Sequence, residues 1–287
     1  FYKMINFIGR NNILDADVFF EKFNNKKIKD NEVCLTFDDA LKSQIDIALP
    51  VLEELKIKSF FFVNTSIFDN KPDNLEFFRY FRMNYFGSVE EFYDNFYKVL
   101  DKDLKHFFEN NIDKIKEKKI KDPFYTIEDI KFRLVRDIFL SKIQYEEIMF
   151  LMFKEKKFNY IDFSKKLYFQ KNDLQTLNNL GHLIGLHAHN HPTLLEKLNY
   201  VEQKKEFEIC LSAISNILEK PKNEIKFMSH PCGSYNNDTL EILKELGIEL
   251  GFKHIMTIEP EKGMKKINNS FLEIARESHS EIYKKMN

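Results

Sequence analysis

The chain has 287 residues, 44 basic and 45 acidic, and a formal net charge of −1, so no global field draws it to nucleic acid or an anionic membrane. With 31% charged residues and no apolar run near the roughly 20 residues of a membrane span, no membrane-spanning segment is expected. Three cysteines, Cys34, Cys210 and Cys232, with no CxxC pair argue against a disulfide scaffold and for a reducing compartment. The N-terminal FYKMINFIGRNN lacks a secretory pattern, so a cytoplasmic protein is expected, although a chain beginning at Phe1 could be a processed one.

Short apolar runs alternate with amphipathic stretches along the chain. EVCLTF (32–37) predicts a first strand, and SQIDIALPVLEELK (43–56) a helix that Pro50 interrupts or restarts. SFFFVNT (59–65) is the continuous apolar run that a parallel sheet buries on both faces. After a gap, NDLQTLNNLG (172–181) predicts a helix with Asn172 or Asp173 near its cap and Gly181 at its end, leading into HLIGLHAH. A helix over about 200–219 precedes Pro221, EIKFMSHP is a further strand, and NDTLEILKELG a helix closed by Gly247. LGFKHIMTI and SFLEIAR complete the series. This spacing predicts βαβ units, a parallel sheet and a single α/β domain over 1–287.

Residues from about 74 to 170 break the rhythm. VEEFYDNFYKVLDKDLKHFF and TIEDIKFRLVRDIFL are rich in Phe, Lys and Asp and carry helical periodicity, which predicts a helical insertion. It is either a packed cap that mainly stabilises or a mobile lid over the substrate cleft.

In parallel α/β folds functional groups gather where strands end. Asp38 and Asp39 follow EVCLTF, His187, His189 and His191 follow HLIG, and Ser229 and His230 follow EIKFM. His187 and His191 are four apart and share a face in a helical turn, or pinch a common ion in a looser one. Two imidazoles and one carboxylate form a metal set with open positions. In a regular strand Asp38 and Asp39 would point to opposite faces, but a turn at the strand end lets both face one cleft. One carboxylate on a cation and its neighbour close enough to take a proton from water would explain the pair; a helix cap needs only one of them. His106 and His182 read as structural, and His254 as core or wall.

These residues resemble the polysaccharide deacetylases, carbohydrate esterase family 4. The family's T-F-D-D matches Thr36-Phe37-Asp38-Asp39, its H-x-x-x-H-P matches His187 to Pro192, and its third motif, with P-[YF]-G, matches Pro231-Cys232-Gly233-Ser234-Tyr235-Asn236. The similarity spans roughly 32–70 and 170–276 and leaves out the insertion. The resemblance implies a distorted (β/α) barrel. Asp39, His187 and His191 would hold a divalent metal, zinc first, with Co²⁺, Ni²⁺, Mn²⁺ or Fe²⁺ as alternatives. Asp38 would be the general base, and the third motif, Pro231, Cys232, Gly233 and Tyr235, would line the oxyanion and substrate side, with the Cys232 N–H on the oxyanion.

Two departures stand out. Many family members carry an Arg two positions before the proline of the third motif to orient the base; Ser229 stands there, and Arg276 of LEIAR is expected to supply the charge, unless it is an ordinary ion-pairing residue. The family's general acid is a His after a leucine near the C-terminus; His279 is the first candidate here and His230 the second. The resulting expectation is a metal-dependent N-deacetylase acting on an acetylated amino sugar, nucleotide- or lipid-linked, in the synthesis of a surface glycan such as capsule or lipopolysaccharide. Deformylation or another amide hydrolysis at the same site is one alternative, and a carbohydrate-binding protein with a degenerate site another.

Overall fold

A computed structural model describes residues 1–69, 74–121, 125–260, 266–268 and 270–286. Residues 122–124 of the expected insertion therefore lie outside the described residues. The chain divides into two compact units, Phe1–Asp73 with Lys165–Asn287, and Asn74–Ser164.

The first unit is built on five parallel strands: β1 (Thr36–Phe37), β2 (Phe60–Val63), β3 (Leu183–Leu186), β4 (Phe227–Ser229) and β5 (Leu250–Phe252). They stand side by side in chain order, with Thr36 opposite Phe60, Phe60 opposite Leu183, Leu186 opposite Met228 and Met228 opposite Gly251. An order that never reverses is that of a barrel rather than a doubly wound sheet. With five regular strands, it is the distorted (β/α) barrel that the motifs imply.

Alternation along β2 sorts the core. Phe61 and Val63 join Ile184, Leu186 and Met228 in packing against the helices Leu49–Glu54, Lys171–Asn179, Tyr200–Leu218 and Asn237–Glu245. Phe60 and Phe62 face the other way, among Phe19, Phe227, Leu250, Phe252 and Ile274. The rings of Phe60 and Phe62 lie 5.2 and 5.3 Å from that of Phe252. Gly185 of β3 makes this packing possible, because a Cβ there would come within 2.5 Å of the Phe227 carbonyl and 2.8 Å of the Phe62 ring.

Two predicted strands shorten, and Pro50 takes the second of its two expected roles. The first strand is shorter than 32–37, because Val33 pairs with Ile13 and exchanges hydrogen bonds with Asn12 and Leu14 instead of with β2. SFLEIAR forms no full strand and is joined to β5 through Ile274 opposite Phe252. Pro50 restarts a helix, since a wide π turn over Gln44–Ala48 gives way to Leu49–Glu54 with the proline in its first turn, where no amide hydrogen is needed.

The second unit is helical throughout its described length, including Leu75–Asn84, Val89–Leu100, Ile127–Leu134 and Lys142–Glu155. Its interior is aromatic, with Phe77, Phe81, Phe92, Phe96, Phe132 and Phe153 almost wholly buried. It ends before residue 170. Phe169 already donates its N–H to the Ala40 carbonyl and Tyr168 pairs with Leu41, both in the sheet unit. No described helix is long and apolar enough to cross a membrane.

Candidate active site

The end of β1 answers why two aspartates stand together. Asp39 and Ala40 adopt positive φ, 74° and 50°, and turn the chain so sharply that both carboxylates face one centre. Such left-handed residues cost about 1–3 kcal/mol each and persist where surrounding contacts impose them. Here the Ala40 carbonyl is held by Phe169, and the Asp38 carbonyl accepts from the Gln44 side chain.

Asp39 Oδ1 lies 3.2 Å from His187 Nε2 and 3.2 Å from His191 Nε2, and one donor atom from each residue lies within 4.8 Å of the other two. Both histidines come from the loop after β3, which turns at Ala188 (φ 59°) and His191 (φ 51°). His187 Nδ1 is 2.9 Å from the Ser229 carbonyl. A carbonyl only accepts, so Nδ1 carries a hydrogen, and Nε2, once its own proton is lost, presents its lone pair to the centre. Tetrahedral N and O ligands at about 2.0–2.2 Å from an ion stand roughly 3.3–3.6 Å apart. The two carboxylate–imidazole spacings, the tautomer and the donor chemistry therefore fit a divalent cation with positions left open.

Asp38 is gripped differently. Arg276 forks onto it, Nη1 to Oδ1 at 2.8 Å and Nη2 to Oδ2 at 2.7 Å, and the Ser229 hydroxyl donates to Oδ2 at 3.0 Å. Arg276 also donates to Thr36 Oγ1, Ser229 Oγ and the Lys253 carbonyl. It spans from the segment beside β5 to the end of β1. Ser229 and Arg276 thus act on one carboxylate, which a planar bidentate guanidinium orients better than a lysine could.

Electrostatics follow from this packing. Burial pushes the Asp38 carboxyl up, but the Arg276 guanidinium and then His187 outweigh it and leave it below its ordinary value. Burial likewise opposes ionisation of Asp39, yet hydrogen bonds from His187 and His191 hold it well below the carboxylate range. His187 moves up: burial disfavours its charged form, and the charge of Asp38 with the contact to Asp39 overcomes that.

The other expected site residues divide. Pro231, Cys232 and Gly233 form the loop after β4, with Cys232 exposed at φ 52° and Gly233 at φ 71° against the Cβ of His254. Tyr235 departs from expectation. It is 1% exposed, its hydroxyl lies 2.9 Å from both Glu259 and Glu273, and its ring stacks 4.2 Å from His230, so its surroundings are those of a core residue. His279 also departs: it begins the exposed helix His279–Met286, and its ring meets Ser280 rather than the aspartates. His230 is buried, with Nε2 on the Leu272 carbonyl. His189 turns away to Thr65 Oγ1 at 2.9 Å, and His182 receives the Ser59 N–H.

Sequence reasoning read His254 as core or wall and gave it no part in the chemistry. Its pKa is lowered, first by desolvation and then by Arg276, against the pull of Asp38 and Asp39, and its Cβ stands against Gly233 of the loop after β4. The signal was present, because His254 follows β5 as the other polar groups follow theirs.

Comparison with known proteins agrees with this architecture. Among solved structures, the chain is similar to the deacetylase PplD of Streptococcus pyogenes in complex with acetate, at 14% identity and a TM-score of 0.53, covering 99% of this chain and 85% of that one. It is also similar to IcaB from Ammonifex degensii, at 12% identity and a TM-score of 0.54, covering 99% and 85%. A de-N-acetylase from Aggregatibacter actinomycetemcomitans gives 13% identity, a TM-score of 0.51, and 99% and 86% coverage. At such identities the likeness speaks for the fold. No curated protein matches the chain. The sequence profile of the family described as polysaccharide deacetylase matches residues 25–80 and 87–251. It runs through most of the helical unit, which the motif resemblance left out, and stops short of Arg276. With the aspartate pair, the two histidines and strands β1 to β4 all inside the matched residues, the chain belongs to the polysaccharide deacetylase family.

Proposed function

We propose that the protein is a metal-dependent hydrolase that removes an N-acetyl group from an amino sugar, one destined for a surface glycan. The observation that carries this reading is the meeting of Asp39, His187 and His191 at one centre, with Asp38 beside them in the fork of Arg276. A merely binding protein has no need of the second, oriented carboxylate.

On this reading Asp39, His187 and His191 hold the ion, zinc first. Bound there, a divalent cation would polarise an acyl carbonyl and acidify water. Asp38, ionised at neutral pH, accepts a proton from water as the water oxygen bonds to the acyl carbon. Arg276 and Ser229 keep its oxygens aimed. The Cys232 backbone N–H stabilises the oxygen that gains charge, whatever side chain stands there. The C–N bond then breaks as His254, its pKa lowered by desolvation and by Arg276 and so neutral until it receives a proton, relays the proton that Asp38 took from water to the departing nitrogen. Acetate and a free amine result.

The test is metal analysis of the purified protein together with acetate release from a panel of N-acetylated amino sugars. One ion per chain is expected, with turnover lost on chelation, restored by zinc, and both lost in His187→Ala. Bound metal with no acetate from any sugar would leave a binding protein, and absence of metal affinity would sink the reading outright.

A further inference from the structure

The loop between the two histidines is held by a residue outside every motif. We propose that Glu206 is a positioning residue for the metal donors, fixing the 187–191 loop so that both imidazoles meet Asp39. This rests on the metal-site reading above.

Three donors converge on its carboxylate. The His189 and Asn190 backbone N–H groups reach Oε2 at 3.1 and 2.7 Å, and the Asn190 side-chain amide reaches Oε1 at 2.7 Å. Two consecutive N–H groups on one oxygen form the concave anion-binding arrangement that peptide backbones make beside left-handed residues. Those residues are present, since Ala188 and His191 flank the pair at φ 59° and 51°. Neither is glycine, so the loop conformation is costly without an external hold. The platform is firm. Glu206 sits on the Tyr200–Leu218 helix, whose adjoining Phe207 is fully buried and whose Cys210 thiol donates to the Val63 carbonyl on β2. From the opposite side, Ser66 donates its N–H to the His189 carbonyl and Thr65 meets the His189 ring. The loop is clamped between β2's end and Glu206, and the clamp sets where His191 points.

Zinc affinity, measured by competition with a chromophoric chelator, tests this together with the melting temperature of the metal-free protein. Glu206→Ala should bind zinc about 10–100-fold more weakly, the usual range for losing an outer-shell partner, without loss of the folded state. Glu206→Gln should stay near wild type, because an amide flip of Asn190 restores all three hydrogen bonds without the charge. Asn190→Asp sets two carboxylates against each other. It should weaken binding although it adds negative charge near a cation, and adding Glu206→Gln should restore affinity. Wild-type affinity in Glu206→Ala or Asn190→Asp overturns the proposal, as does a Gln variant as weak as the Ala one, since charge alone would then be acting. Should Glu206→Ala fail to fold, the Asn190→Asp pair decides. Zinc binding by wild type with unaltered variants refutes this inference alone, whereas no binding by wild type refutes the parent reading as well.

Discussion

The two compact units bury opposite kinds of side chain. At the strand ends of the sheet unit, charged and polar groups lie close together under cover, each answered by a partner: Asp38 by Arg276, His187 by the Ser229 carbonyl, the 189–190 amides by Glu206. The helical unit buries rings against rings, as where Phe81 lies 4.6 Å from Phe153 and 5.7 Å from Phe158. Ring packing yields stability through apolar area and shape. Partnered polar groups yield little net stability, since desolvation consumes most of the gain. That contrast is why the proposed chemistry is placed in the sheet unit.

The largest effect should come from removing charge at one polar group. Asp38→Asn is expected to cut turnover by about 10²–10⁴-fold, the range for a lost general base, while metal content stays at the wild-type level. Turnover within a few-fold of wild type would show that the buried carboxylate is only structural, and the contrast between the units would lose its meaning.

Truncating a ring should do the reverse. Phe81→Ala is expected to lower stability by about 3–5 kcal/mol, read by denaturant or thermal unfolding, with zinc affinity unchanged in the protein that remains folded. A Phe81→Ala protein of wild-type stability would mean that the aromatic cluster packs far more loosely than full burial of Phe81 implies.

A third comparison sets two histidines against each other. His254→Asn should slow turnover by about 10²-fold, as for a lost acid, and His279→Asn should leave it unchanged. The reverse result would restore the C-terminal histidine as the acid and remove His254 from the mechanism.

These cases also mark how far the sequence could be read. The meeting of Asp39, His187 and His191 was legible because these residues sit in two local motifs at the ends of strands whose apolar runs are plain, Thr36–Asp39 and His187–His191. Arg276 was legible through a gap, a charge missing at Ser229 that something had to supply. Tyr235 misled because a motif position says nothing of which way a ring turns, and only the tertiary approach of Glu259 and Glu273 buries it. His279 misled because helical continuation after residue 278 carries it onto an exposed surface. Glu206 carried no signal, being one acidic residue among many on an amphipathic helix.

The smallest effect expected is on pH dependence, and it too separates the units. Buried phenols of the helical unit, such as Tyr145, pushed up to about 12 by burial, stay neutral across the working range. His187 does not share that indifference, because its pKa is raised from 6.5 by Asp38 and Asp39 against burial. A metal must displace that proton from Nε2, so zinc affinity should climb with pH by up to about tenfold per unit until the raised pKa is passed, then level off. Metal-free protein should show the opposite slope. A group whose folded pKa is raised contributes its full stability below the unfolded value and loses it as pH rises through the folded one. Melting of the metal-free chain should therefore fall slightly as pH climbs above 6.5, while zinc binding tightens. In His187→Gln, expected to hold no metal, the fall in melting of the metal-free chain above pH 6.5 should vanish, and if it persists the titrating group is not His187.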